Sequence, residues 1–276
     1  MRKLLFLSVV SLIFTACNTD ETKTSDTLTT NPPIKDTAAV DQPVTIPSGL
    51  KLFPFKLADK NCDLVVPEDM ELDEGWCNTR ELAGLRVSLT DAAVAQKING
   101  LICKEITGKV GNVTTLKKFV TDIKSLSNEE GDMEFMQDEY SCSLIDSSNT
   151  YMSMRVFSYF YPMGAAHGQS SFQVLNVDLI TGAKITLADL FVNNYRSSLK
   201  AFAKRKFLEQ NGNEGWWFTT GDQPFDLPET FAISRKGITF TYQPYEVGPY
   251  AAGAPEVFLS KKDLAKWLKE NPYLIP

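Results

Sequence analysis

The sequence predicts an α+β fold: a mainly antiparallel sheet with packed helices, built as one large domain or as two lobes. Three observations predict it. Alternating segments lie back to back around turn residues, Met133 to Ile145 with Thr150 to Pro162, and Thr230 to Ser234 with Ile238 to Gln243. Stretches at Asp91 to Ile106, Thr115 to Leu126 and Tyr195 to Gln210 repeat their apolar residues at helical period. These helices fall between strands and do not alternate strictly with them, which separates the pattern from a parallel α/β sheet.

The first 16 residues read as a signal peptide. Arg2 and Lys3 form a basic start, and Leu4 to Phe14 is apolar but too short to span a bilayer. Thr15 and Ala16 are small residues directly before Cys17, the pattern of a site where a bacterial signal peptide is removed and the new N-terminal cysteine is lipidated. Phe14 stands where such sites commonly carry Leu. Residues 17–48 are the lipidated cysteine and a tether rich in Thr, Asp and Pro without one aromatic. Such a composition buries too little apolar surface to offset the entropy of ordering. As flexible chain it would reach roughly 30 Å. Asp20 and Glu21 close behind the cysteine resemble the surface-export signal of some Bacteroidetes lipoproteins. The expected address is the bacterial cell envelope, lipid-anchored at the outer membrane on its periplasmic or surface face.

Residues 49–158 then form an N-terminal α+β region and 159–276 a C-terminal one. Leu50 to Leu57 alternates as a strand interrupted by Pro54, and Leu85 to Leu89 is a second, short strand. Thr90 is placed to cap the first helix, with Val94, Ile98, Leu101 and Ile102 on one face and Gly108 and Gly111 ending it. Leu116, Phe119, Val120 and Ile123 mark the second helix. In Thr150 to Pro162, Met152, Met154 and Val156 share one face, and Tyr151, Ser153, Arg155, Phe157, Tyr159 and Tyr161 the other. Ser170 to Leu179 is a strand whose apolar phase changes after Val174, so a bulge is expected there. Thr181-Gly182 makes a turn, and Thr186 with Asp189 forms a capping box. Leu199, Phe202, Ala203 and Phe207 are the inward face of a basic helix that stops at Gly212. Val257 to Leu259 is a last strand, and Ser260 with Asp263 caps a last helix carrying Leu264, Trp267 and Leu268.

The formal charge is −6, and removal of Arg2 and Lys3 makes it −6 − 2 = −8. That sign argues against nucleic acid and anionic lipid as partners and favours a cationic one. The membrane is met only through the N-terminal lipid. With Cys17 lipidated, Cys62, Cys77, Cys103 and Cys142 remain, an even number in an exported chain. Three pairings exist; the preferred one is Cys62–Cys77 and Cys103–Cys142. Without C-x-x-C spacing and with one histidine, no metal site is expected, and no cofactor.

Gly164 to Phe191 (GAAHGQSSFQVLNVDLITGAKITLADLF), followed by Phe240 to Gly253 (FTYQPYEVGPYAAG), resembles a bacterial RsiV-like domain of unknown function. That domain forms the extracellular part of the lysozyme-responsive anti-sigma-V factor and sits beside the catalytic domain of some peptidoglycan deacetylases. The resemblance covers Tyr159 to about Leu264. The chain lacks the anti-sigma factor's cytoplasmic segment and membrane span and has no deacetylase domain. The resemblance implies an envelope domain that meets lysozyme or cell-wall glycans, and it assigns no catalytic residue.

Among chemistry-bearing residues, His167 is the one candidate general base. No Ser, Cys or Asp near it has a nucleophile context, so the simpler reading is a turn at Ala166-His167-Gly168 with the imidazole bonded to backbone. Asn176 and Asp178 could meet a sugar or cation, or satisfy turn and strand backbone. Trp216 and Trp217 are adjacent in a polar loop, where one can be exposed as a sugar platform or protein hot spot. Tyr245, Glu246 and Tyr250 lie in a second turn-rich segment. The expected function is therefore a non-catalytic binding module for a lysozyme-type muramidase or a peptidoglycan fragment. The alternative is a hydrolase or deacylase of wall glycans with His167 as base. Labelled palmitate should enter the protein expressed in its natural host class and be lost in Cys17→Ser; equal labelling of that variant would refute the lipid anchor.

Overall fold

Alternation builds the main sheet, and one helical crossover sets its order. The computed structural model describes residues 44–45, 49–62, 77–122, 135–162, 165–212, 217–218 and 225–274. The leader, Cys17, most of the tether, Trp216 and residues 123–126 of the second expected helix lie outside them. Six strands, β1 (Val44–Thr45), β2 (Lys51–Asn61), β3 (Asn78–Ser88), β4 (Phe135–Ser147), β5 (Tyr151–Pro162) and β6 (Gln169–Asp178), lie side by side in chain order. All neighbours are antiparallel except β3 and β4, parallel from Thr79 opposite Gln137 to Ala83 opposite Ser141. A parallel pair needs a long crossover, here α1 (Ala92–Thr107) and α2 (Val113–Thr121). A smaller antiparallel sheet of β7 (Phe231–Ser234), β8 (Gly237–Thr241) and β9 (Glu256–Ser260) follows, with α4 (Tyr195–Asn211) against β9. Single turns α3 (Leu187–Leu190) and α5 (Lys261–Leu264) both open with the capping boxes read from the sequence, Thr186 with Asp189 and Ser260 with Asp263. The result is an α+β fold. Among the described residues no helix is long and apolar enough to cross a membrane.

Helix starts shift slightly from expectation. Asp91, not Thr90, caps α1, accepting from the N–H groups of Ala93 and Val94 at 2.9 and 3.1 Å. Gly108 ends α1 at φ 73°, a conformation open to glycine. Asn112 caps α2 two residues before the expected start.

The six-stranded sheet separates two cores. On one face Met152, Met154, Val156, Leu175 and Val177 meet Val94, Ile98, Ile102 and Cys103 of α1 and Leu116 and Val120 of α2. On the other, Tyr151 joins Leu199, Ala203 and Phe207 of α4 and Ile233, Ile238, Phe240, Val257 and Leu259 of the small sheet. The boundary drawn at residue 158 falls inside β5, so the two halves of the chain share one sheet.

This layering explains the misread strands. β6 has no bulge: its register with β5 runs unbroken from Tyr151 opposite Asp178 to Phe160 opposite Gln169. Its apolar phase changes because the second half, Val174 to Asp178, is buried on both faces, and on the small-sheet side the buried residues after Val174 are the polar Asn176 and Asp178. Leu175 and Val177 meet the helices, whereas Phe172 and Val174 point to the other side. The irregularities lie in β4, between Phe135 and Gln137 and between Leu144 and Asp146. Pro54 does not interrupt β2, because β1 pairs only with Lys51 and Leu52 and leaves Pro54 on an edge, where its missing N–H removes no ladder bond. β3 runs from Asn78, longer than the segment at Leu85 to Leu89.

Cys62 and Cys77 form the expected disulfide. Cys103 and Cys142 do not: both are free, buried thiols. Cys103 projects from α1 toward Thr107 Oγ1 at 3.7 Å, and Cys142 from β4 toward Met154 Sδ at 3.9 Å, each packing as a small apolar group. Burial pushes the Cys142 thiol up to about 12, so it stays protonated and unreactive.

At the parallel seam, Arg80 and Asp138 are opposite in register and form a buried ion pair at 2.6 Å. Arg80 also donates to the Phe119 carbonyl at the end of α2 at 2.8 Å and stacks over the Phe119 ring. The layers are further joined by carboxamides. The Asn176 amide, 1% exposed, donates to Phe231 O at 2.7 Å and accepts from Ile233 N at 3.1 Å and from Ser153 Oγ at 2.6 Å. It therefore occupies the place a further strand would take beside β7. Asn176→Ala leaves the Phe231 carbonyl buried without this donor and should cost about 3 kcal/mol, read as a lower urea midpoint at unchanged slope; a loss below about 1 kcal/mol would contradict this role.

Candidate functional site

The small sheet covers only part of the second face of the main sheet. Over β2, β3 and β4 that face is open: Lys56, Glu81, Ala83 and Gln137 are exposed. Over β5 and β6 it becomes aromatic. Phe157, Tyr159 and Tyr161 recur at every second residue of β5 and so line up about 7 Å apart on this side. Phe172 on β6 stands opposite Phe157 with ring centroids 5.1 Å apart. Register places Ser141, Glu139 and Gln137 of β4 beside the three β5 rings in turn.

A ledge rises at the edge of this floor. The chain after β8 turns back along β6 and is held by Gln243, whose side-chain carbonyl accepts from Phe172 N at 2.9 Å while its amide donates to Phe172 O. Glu246 closes the turn by accepting from Gln243 N at 2.8 Å. The turn delivers Tyr245, 54% exposed, and Tyr250 in the short 3-10 turn Tyr250–Ala252. Their rings lie 5.4 Å apart. Tyr245 has φ 69°, a left-handed conformation unfavourable for a bulky residue. His167 stacks on Tyr250, with ring centroids 4.4 Å apart and planes inclined by 22°. Its Nδ1 lies 2.9 Å from Gly168 O, and Tyr250 OH donates to the same carbonyl at 2.7 Å. Gly168 sits directly on Tyr159: a Cβ there would come within 2.3 Å of the phenol. Burial first, then the neighbouring Tyr250, Glu139 and Tyr161, raises the Tyr159 pKa above its ordinary value.

The structure thus brings together four residues singled out in the sequence, His167, Tyr245, Glu246 and Tyr250. It adds Tyr159, which the sequence placed on the right face of its strand without marking it as functional. The remaining candidates go elsewhere. Asn176 is taken up by the β7 backbone. Asp178 accepts from Ile180 N at 2.8 Å, Thr181 N at 2.7 Å and Tyr273 OH at 2.6 Å, closing the turn after β6 and holding the C-terminal segment. Trp217 packs inward, edge-on to Phe207 at 5.1 Å and against Gly248. It packs, partly buried, against the core of the second layer. Among the described residues no Ser, Cys, Asp or Glu side chain hydrogen-bonds to His167, and no three His, Cys, Asp or Glu side chains group as a metal site.

The class defined here is a two-sheet α+β domain with an aromatic ledge at the open edge of its larger sheet. Residues 188–262 contain a DUF3298 domain, described as a protein of unknown function. Two solved structures share the fold. A DUF3298 family member from Bacteroides fragilis NCTC 9343 has 18% identity and a TM-score of 0.67, covering 81% of this chain and 95% of that one. A DUF3298 family protein from Pseudomonas aeruginosa PAO1 has 16% identity and a TM-score of 0.60, covering 86% and 99%. No curated protein matches the sequence significantly.

Burial works to raise the Asp178 pKa, but the Tyr273 hydroxyl and the N–H groups of Thr181 and Ile180 outweigh it and hold the carboxyl below its usual range. A depressed folded pKa stabilises above the unfolded value of about 3.9 and loses that stabilisation as pH falls through the folded value. Urea stability measured from about pH 5 down to about pH 2 should therefore fall more steeply in the wild type than in Asp178→Asn; parallel curves would refute this role.

Proposed function

We propose that the chain is a lipid-anchored protein of the bacterial envelope whose folded domain is a non-catalytic binding module. Its partner is a lysozyme-type muramidase or a peptidoglycan fragment, and its lipid holds it at the outer membrane, facing the periplasm or the surface. The resemblance of Gly164 to Phe191 and Phe240 to Gly253 to the extracellular domain of the anti-sigma-V factor supports this reading; the match at residues 188–262 includes the second block and only the end of the first.

The observation that carries the proposal is the stack of His167, Tyr250 and Tyr245. Neighbouring rings, two of them exposed, in segments fixed by the Gln243 and Tyr250 bonds to backbone are pre-organised for contact. The alternative, a hydrolase or deacylase with His167 as base, is less well supported. The His167 Nδ1 already faces the Gly168 carbonyl, and no carboxylate among the described residues orients the ring toward a reacting group.

Calorimetric titration of the mature protein at low salt, with a lysozyme-type muramidase and with muropeptides, tests the proposal. Binding of at least one is expected. Because the chain is acidic and such muramidases are cationic, muramidase affinity should decline as salt rises. Failure of both to bind, or turnover of a muropeptide that disappears in a folded His167→Ala variant, would overturn it.

A further inference from the structure

We propose that the ligand of the ledge is an uncharged N-acetylhexosamine chain, which lies across the open sheet face with its sugar rings against the aromatic side chains. This rests on the reading of the domain as a wall-binding module and commits it to a carbohydrate.

Three observations lead to that chemistry. First, the site is made of rings and not of aliphatic sockets. Tyr245 and His167 are exposed, Tyr250, Tyr159 and Tyr161 are half-buried, and the exposed floor positions Lys56, Ala58, Glu81 and Ala83 of β2 and β3 carry no large aliphatic side chain. An apolar peptide anchor needs a pocket for its side chain, whereas the C–H face of a pyranose needs a flat π surface. Second, each β5 ring has a hydrogen-bonding neighbour in its row: Ser141 beside Phe157, Glu139 beside Tyr159 with Ser170 on the far side, and Gln137 beside Tyr161. Alternation of flat apolar faces with hydroxyl, amide and carboxylate groups matches a sugar's apolar faces and polar rim. The Glu139 carboxylate can accept an acetamide N–H. Third, the floor has little net field. Lys56 neutralises Glu81 at 2.7 Å, which leaves Glu139, bonded to the uncharged Gln137 amide, as a single carboxylate beside the β5 rings and not as a charged stripe.

The geometry also orders the roles. Tyr245 presents its face through a strained backbone and touches little besides Tyr250 among the described rings, so it is a contact residue. Tyr250 contributes a ring and, through its hydroxyl, fixes the Gly168 carbonyl. Gly168 lets that segment lie flat on Tyr159, so it is a positioning residue.

The test is titration of the mature full chain with chitotetraose, followed by calorimetry and by the tyrosine ring signals in NMR. Binding should be the same at low and at physiological salt. Tyr245→Ala and Tyr250→Ala should each weaken it about tenfold, the size of one lost aromatic contact. Tyr250→Phe, which keeps the ring and loses only the tie to Gly168, should bind more tightly than Tyr250→Ala. If Tyr250→Ala fails to fold, Tyr245→Ala alone decides, because its side chain is largely outside the core. Absence of chitotetraose binding, or binding unchanged in Tyr245→Ala, overturns the inference. If a muramidase binds and chitotetraose does not, the binding-module reading stands and the carbohydrate assignment falls. If muramidase, muropeptides and chitotetraose all fail to bind, both fall.

Discussion

Side-chain carboxamides pairing with strand edges hold this molecule together. An edge strand leaves a row of N–H and C=O groups unmatched, and burying such groups without partners is costly. Four amides solve the problem at four places. Asn99 of α1 binds both the N–H and the C=O of Val87, just beyond the point where β3 stops pairing with β4. Gln210 of α4 does the same for Phe258 on the edge strand β9. Gln243 does it for Phe172 on β6, and Asn176 spans Phe231 and Ile233 on β7. Each joins one element to the backbone of another, so the helices, the small sheet and the ledge are located by bonds with direction and not by apolar contact alone. Apolar burial drives these layers together; the amides set where they stop.

The ledge depends on the third of these bonds. Gln243 ties the segment carrying Tyr245 and Tyr250 to the strand that follows His167, and Tyr250 OH adds a second tie at Gly168. Aromatic residues about eighty positions apart in sequence thereby share one surface. The DUF3298 match spans α3 to β9 and its neighbours, the layer that supplies the Tyr245 and Tyr250 side of the ledge, while His167 and the β5 rings come from the preceding strands. The candidate site is therefore a property of the junction between the two layers.

Much of this fold could be read from the chain because its signals are periodic. The β4–β5 hairpin, α1, α4 and both capping boxes follow from alternation, helical spacing or a short local pattern. What escaped was non-local. Parallel pairing of β3 with β4 has no sequence mark, since it follows from where two helices carry the chain. The phase change in β6 resembles a bulge because Asn176 and Asp178 put polar side chains at buried positions, which a pattern of apolar residues cannot show. Cys103 and Cys142 form an even pair by count, yet each sits in apolar packing as a thiol. The amide bonds were invisible, because a lone Asn or Gln looks the same whether it meets water or a strand edge. For the same reason Asn176 looked like a ligand-binding residue. The contact of His167 Nδ1 with the adjacent Gly168 carbonyl is local, whereas its stacking with Tyr250 requires the fold.

Native-state hydrogen exchange tests the amide account most directly. The backbone N–H groups of Val87, Phe172 and Ile233 donate to side-chain carbonyls at 2.9, 2.9 and 3.1 Å. They should exchange as slowly as N–H groups bonded between neighbouring strands, and Gln243→Ala should release Phe172 alone while Val87 and Ile233 stay protected. Exchange of all three at the rate of free peptide in the wild type would contradict the claim that carboxamides close the sheet edges.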